Sequence, residues 1–128
     1  MNELSVLLVE DNPRNLKLAR DVLEHAGFSV VAVTSGEEAL TAARAGAPDV
    51  ILMDLQLPGI DGHTALSRLR ADPLTAGIPV VAVSAFAMRA DRERALGSGF
   101  DGYLSKPISV REFADQVRGH ARKAGRAP

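Results

Sequence analysis

Two kinds of hydrophobic pattern alternate along the chain. Short continuous apolar runs occur at Ser5-Val6-Leu7-Leu8-Val9, at Ser29 to Val33, at Val50-Ile51-Leu52-Met53 and at Val80-Val81-Ala82-Val83. They are too short for helices and too uniformly apolar for half-exposed strands, so they predict strands buried on both faces. Between them apolar residues recur at spacings of three and four, which predicts helices with one buried stripe. Asn12-Pro13 supplies a cap and a first helical residue, Leu16, Ala19, Val22, Leu23 and Ala26 form the stripe, and Gly27 closes it. Ser35 and Glu38 have the spacing of a capping box for a helix through about Arg44. After Gly62 a helix carrying Ala65, Leu66 and Leu69 runs to about Asp72, where Pro73 stops it.

The pattern weakens toward the C-terminus. Ala87 to Ser98, rich in charge and alanine, predicts a helix ending near Gly97 or Gly99. Tyr103-Leu104 reads as a brief fifth strand, and Ser109 with Glu112 as a capping box opening a last helix that buries Val110, Phe113, Ala114, Val117 and Ala121. Strict alternation of strand and helix implies an α/β fold, a parallel sheet wound on both faces by right-handed crossovers. The C-terminal ends of all five strands then share one edge, where ligands of such sheets bind. The residues that end the strands are Glu10 and Asp11, Asp54, Ser84 and Lys106. None is apolar.

Composition narrows the picture. A chain of 128 residues with 46% hydrophobic residues fits one domain with its own core. There is no cysteine, so disulfides and Cys-based metal sites are excluded and a cytoplasmic setting is expected. A formal net charge of -1 argues against direct nucleic-acid binding, and no apolar stretch is long enough for membrane insertion. Residues 1–122 are expected to form the folded domain and 123–128 a short tail within the mildly basic stretch Arg122 to Pro128, with no effector domain attached.

Three acids at one edge repel one another and call for a cation. With no histidine or cysteine in the set, Mg2+ suits the oxygen donors better than a soft metal, and His25, His63 and His120 are expected at the surface. A metal among carboxylates, flanked by Lys106 and the Ser84 hydroxyl, also describes a site for phosphoryl transfer. Asp54, alone on the middle strand, is then the best nucleophile, and Glu10 with Asp11 the better metal ligands. Each residue also has an ordinary reading: Asp54 or Lys106 as half of an ion pair, Ser84 as a helix cap, Glu10-Asp11 as acids at a helix start, Tyr103 as a static core ring.

The segments Val9-Glu10-Asp11-Asn12, Met53-Asp54-Leu55-Gln56-Leu57-Pro58-Gly59-Ile60-Asp61-Gly62, Val83-Ser84-Ala85 and Ser105-Lys106-Pro107 resemble, in order, the four signature segments of the two-component response-regulator receiver domain, the CheY-like family. The resemblance implies strand order 2-1-3-4-5 and a phosphoryl group accepted on Asp54 from the phosphohistidine of a sensor histidine kinase or a histidine phosphotransferase. It implies Mg2+ held by Glu10, Asp11, Asp54 and the Gln56 backbone carbonyl, phosphate contacts from Ser84, Ala85 and Lys106, and a cis peptide between Lys106 and Pro107. It further implies a switch pairing Ser84 with Tyr103. Downstream signalling proteins would be met by the last two helices and last strand, including Phe86, Met88, Arg89 and the Val110 to Ala121 helix.

More narrowly, Asp11-Asn12, Asn15, Lys17-Leu18, the segment Ile78 to Met88 and Ser105 to Val110 are similar to DivK-type single-domain regulators of cell cycle and polarity. A receiver module of a hybrid histidine kinase or phosphorelay shares parts of these segments. In either case the expected protein is a phosphoacceptor switch with at most self-phosphorylation from small donors and slow autodephosphorylation. Aspartate-nucleophile phosphatases are a rival, but they carry a second acid two residues after the nucleophile, where Gln56 stands. A flavodoxin-like nucleotide binder is disfavoured because Glu10-Asp11-Asn12-Pro13 is acidic where a phosphate cradle is glycine- or hydroxyl-rich.

Overall fold

Strand and helix alternate from β1 (Ser5–Val9) through α1 (Pro13–His25), β2 (Ser29–Val33), α2 (Gly36–Gly46), β3 (Val50–Asp54), α3 (Gly62–Ala71), β4 (Val80–Ser84), α4 (Arg89–Gly97) and β5 (Gly102–Ser105) to α5 (Phe113–His120). The computed structural model describes residues 4–85 and 88–121. The strands form one sheet in the order β2-β1-β3-β4-β5 with every pairing parallel, as the resemblance implies. β3 and β4 are buried at every position, which is why their sequences run apolar without alternation. β2 is an edge strand and leaves Val31 56% exposed.

Alternate residues of each strand face opposite cores. Leu7, Val9, Ile51, Met53, Val80, Ala82 and Tyr103 pack with Ala39, Ala43, Ala65, Leu66, Leu69 and Ala95 of α2, α3 and α4. Val6, Leu8, Val50, Leu52, Val81, Val83 and Leu104 pack on the other face with Ala19 and Leu23 of α1 and Phe113 and Val117 of α5. Apart from Val110, the helix-stripe residues read from the sequence belong to these two layers.

Helix starts follow the cap residues closely, with two differences. The Asn12 side chain accepts from the Arg14 and Asn15 N–H groups at 3.0 and 3.1 Å, and Ser35 Oγ accepts from Glu38 N–H at 3.1 Å. The Glu38 carboxylate reaches back chiefly to the N–H and hydroxyl of Thr34 at 2.9 and 3.0 Å and more weakly to Ser35, and these bonds hold its pKa below the ordinary value. The expected capping box at Ser109 and Glu112 does not form. No side-chain cap bond is made there, the Ser109 carbonyl accepts from the Glu112 and Phe113 N–H groups, and α5 begins only at Phe113. Val110 falls in that turn and is 59% exposed instead of joining the core. α4 starts at Arg89; Ala87, where its start was expected, lies outside the described residues.

At the edge opposite the strand C-termini, Arg70 binds three segments together, α3, the segment before β4 and the turn into β5. Its guanidinium donates to the carbonyls of Ala76, Ile78 and Gly99 and to Asp101 Oδ2 at 2.7 Å, and the same Asp101 oxygen accepts the Val80 N–H at 2.8 Å. Replacing Arg70 by alanine strands these acceptors, so it is expected to cost about 2 kcal/mol of stability. Urea unfolding checks this as a lowered midpoint with an unchanged slope.

Candidate functional site

The strands deliver their polar ends to one place because each apolar run stops where the sheet stops. Glu10 follows β1, its N–H bonded to the Val33 carbonyl at 3.0 Å, and Asp54 is the last residue of β3. Lys106 follows β5 and is tied to β4 by its own N–H, which donates to the Ser84 carbonyl at 2.8 Å. From there Lys106 Nζ reaches Glu10 Oε1 at 2.7 Å and Asp54 Oδ2 at 2.9 Å. Both acids are nearly inaccessible, Glu10 at 5% and Asp54 at 4% exposed.

The other carboxylate oxygens are met by backbone. Asn12 N–H donates to Glu10 Oε2 at 3.1 Å, and Gln56 N–H donates to Asp54 Oδ1 at 2.9 Å. Each is a turn in which a side chain captures the amide two residues on. Burial raises the Glu10 carboxyl above its ordinary value; Lys106 and the Asn12 N–H act against that rise, and Asp54 adds to it. Burial would lower the Lys106 ammonium, but its bonds to Glu10 and Asp54 outweigh this and hold it above its ordinary value. Asp11 is exposed, and oxygens of Glu10, Asp11 and Asp54 all lie within 4.8 Å of one another. Three carboxylates with no nitrogen or sulfur donor form a hard oxygen set that fits a divalent cation such as Mg2+.

Ser84 is fully buried at the end of β4, opposite Ser105 in the β5 register, while Ala85 beyond it is exposed. Tyr103 is 7% exposed, its ring within the core on the α2 to α4 side. The peptide between Lys106 and Pro107 is cis. Met88 is 69% exposed, and Arg89 is exposed and paired with Glu93 at 3.2 Å; Phe86 lies outside the described residues.

Two histidines depart from the expected surface positions. His63 stands edge-on to Phe100 at 5.4 Å with Nδ1 3.2 Å from Ser98 Oγ, and His120 lies against Gly102 of β5, so both are half-buried; His25 is exposed. Spacing alone did not show it, because the partners are distant in sequence. Sequence reading also missed the amide donors of Asn12 and Gln56, although an acid two residues before each was a usable signal. It missed the narrow apolar cleft beside Lys106 as well, lined by Asn15, Leu18, Pro107, Ile108 and Phe113.

A family model described as the response regulator receiver domain matches residues 6–118. The polar-differentiation response regulator DivK of Brucella ovis is 46% identical over 116 residues, covering 91% of this chain and 94% of that one. Among solved structures, a putative response regulator from Chloroflexus aurantiacus is 32% identical with a TM-score of 0.87, covering 92% of this chain and 97% of its own. The receiver domain of sensor histidine kinase PA1611 from Pseudomonas aeruginosa, solved with a magnesium ion coordinated in the active site cleft, is 34% identical with a TM-score of 0.85, covering 93% and 98%. A match across most of the fold, with relatives this similar over nearly their whole lengths, places the chain in one family: it belongs to the response regulator receiver domains.

Proposed function

We propose that this chain is a single-domain response regulator that accepts a phosphoryl group on Asp54 and, in doing so, changes how it meets other proteins. The observation that carries this is the shared ion pair, in which one lysine meets the buried carboxylates of Glu10 and Asp54 with Asp11 beside them. Glu10, Asp11, Asp54 and the Gln56 carbonyl are the residues that would hold Mg2+, and the Pseudomonas receiver domain was solved with magnesium in its cleft. Bound there, the ion supplies positive charge to the oxygens of the transferring group.

The chain's own groups divide the remaining work. An Asp54 carboxylate oxygen attacks phosphorus, an O–P bond forms as the donor's N–P bond breaks, and the leaving imidazole keeps the electron pair. Gln56 N–H holds the other oxygen, which fixes the carboxylate's orientation. Lys106 stands where it can neutralise a phosphoryl oxygen, and the Ser84 hydroxyl is the donor placed on the neighbouring strand end. The cleft between α1 and the Lys106-Pro107-Ile108 segment gives a histidine-bearing kinase or phosphotransferase an apolar rim to grip beside Asp54. Ser84 and Tyr103 form the proposed switch, with α4, β5 and α5 as the surface read by downstream proteins. Likeness to DivK favours a polarity or cell-cycle regulator over a receiver module of a hybrid kinase. No helix among the described residues is long and apolar enough to cross a membrane.

Incubation with Mg2+ and acetyl phosphate is expected to add one phosphoryl mass by intact-protein mass spectrometry. Asp54→Asn should abolish the addition, and Ca2+ should replace Mg2+ poorly. A label that survives Asp54→Asn overturns the assignment.

Lys106→Met removes the cation that both buried acids share. In chelator the variant is expected to lose about 3 kcal/mol of stability near neutral pH, because it leaves buried carboxylates uncompensated. The folded Glu10 carboxyl already lies above its ordinary value, so its contribution to stability is full at low pH and falls as pH rises through the raised value. Without Lys106 that value moves higher, and as pH rises above the ordinary carboxylate range urea midpoints should fall more steeply than in the unsubstituted chain. Added Mg2+ should recover part of the loss.

A further inference from the structure

The loop between β3 and α3 carries Gln56, and three contacts pin it. At its start Gln56 N–H is bonded to Asp54 Oδ1. At its end Gly62 lies against the strand so closely that a Cβ there would stand 2.9 Å from the Asp54 carbonyl oxygen and 3.0 Å from Leu55 Cα. The middle contact is the one made by a different element. Gly36, the first residue of α2, leaves a space that Ile60 fills: a Cβ on Gly36 would meet Ile60 Cγ1 at 2.6 Å and the Ile60 carbonyl oxygen at 3.1 Å. Next to it, Gly59 holds φ +72° and turns its Cα toward the Glu37 carboxylate, where a Cβ would be 2.7 Å from Oε2.

Consecutive residues of the loop thus rest on consecutive residues of the α2 first turn, and that turn is itself fixed by the Ser35 and Glu38 bonds. Ile60 also packs into the core layer on the α2 to α4 side. Packed carbon atoms sit about 3.5–4.0 Å apart, so a methyl group at position 36 drives Ile60 back by about 1 Å. Ile60 is four residues from Gln56, with Pro58 stiffening the path between them.

We propose that Gly36 is a positioning residue for the Asp54 site: the space it leaves seats Ile60, and the seated loop holds the Gln56 amide and carbonyl in place. This rests on Asp54 being the phosphoacceptor, and it adds that the reach of the site extends to α2, which touches neither the metal nor the phosphoryl group.

The test uses Gly36→Ala, Ile60→Ala and the double variant. Amide exchange and the chemical shift of Gln56 are followed by NMR in metal-free buffer, and Mg2+ affinity is then measured by titration well below the melting temperature. Gly36→Ala is expected to speed Gln56 amide exchange and to weaken Mg2+ binding about tenfold, the scale of losing an outer-shell support. Ile60→Ala, which removes the seat without a clash, should shift both in the same direction. In the Ile60→Ala background the further change Gly36→Ala should cost less than about twofold, since the Cγ1 and Cδ1 atoms it struck are gone and only the milder 3.1 Å approach to the backbone carbonyl oxygen of residue 60 remains.

A variant that melts at lower temperature but keeps the Gln56 amide and the Mg2+ affinity of the unsubstituted chain overturns the proposal, as does a full second loss in the double variant. If Gly36→Ala does not fold, Ile60→Ala decides by the same two readouts. Failure of the Asp54 reading shows separately, as an unsubstituted chain that binds no Mg2+ or takes no phosphoryl group, because the Gln56 amide is read without metal.

Discussion

Lys106 reaches from the end of β5 past β4 to place its ammonium 2.7 Å from Glu10 and 2.9 Å from Asp54, and that charge is what lets two carboxylates sit almost wholly buried at the end of a sheet. Desolvation alone would cost several kcal/mol for each acid. The lysine offsets the cost for both at once, which requires β1, β3 and β5 to end at the same level. Parallel register supplies that: Val9 pairs with Met53, one residue before Glu10 and Asp54 respectively, and Ser84 pairs with Ser105, one residue before Lys106. Three carboxylates against one ammonium leave an excess of two negative charges, which a dication matches.

The strands were legible because full burial removes any need for polar alternation, and the acids and lysine were legible because each interrupts an apolar run at its end. Helix caps were legible where a side chain makes the bond, as at Asn12 and Ser35. The start of α5 was misread because the same Ser and Glu spacing is satisfied there by the Ser109 carbonyl, which any residue supplies. Val110 shows the cost of that reading, since an apolar residue in a turn has no stripe to join.

Contacts between distant residues left no periodic trace. Arg70 and Asp101 are separated by 31 positions and meet only because α3 and the segment before β5 reach the same edge of the sheet. Gly36 and Ile60 meet because α2 and the loop after β3 share the face opposite α1 and α5. A glycine before Glu37-Glu38 reads as an ordinary helix start; its use as a socket becomes visible only when the neighbouring loop is in place.

The two ends of the sheet therefore differ in what they permit. At one end Arg70 ties α3, the segment before β4 and the turn into β5 together, so that separating any of them breaks a bond to its guanidinium. At the other, loops close over the carboxylates and are held by single amides and by van der Waals seats. Between them α4 is the least anchored helix: it buries only Ala95, whereas α3 buries Gly62, Ala65, Leu66 and Leu69. Moving an element costs in proportion to the apolar contacts it gives up. Were the end of β4 to be displaced by the switch proposed at Ser84, α4 would take up the movement at least cost, not the stapled start of β4; α4 carries Leu96 exposed on its surface, and the exposed Met88 stands just before its first residue.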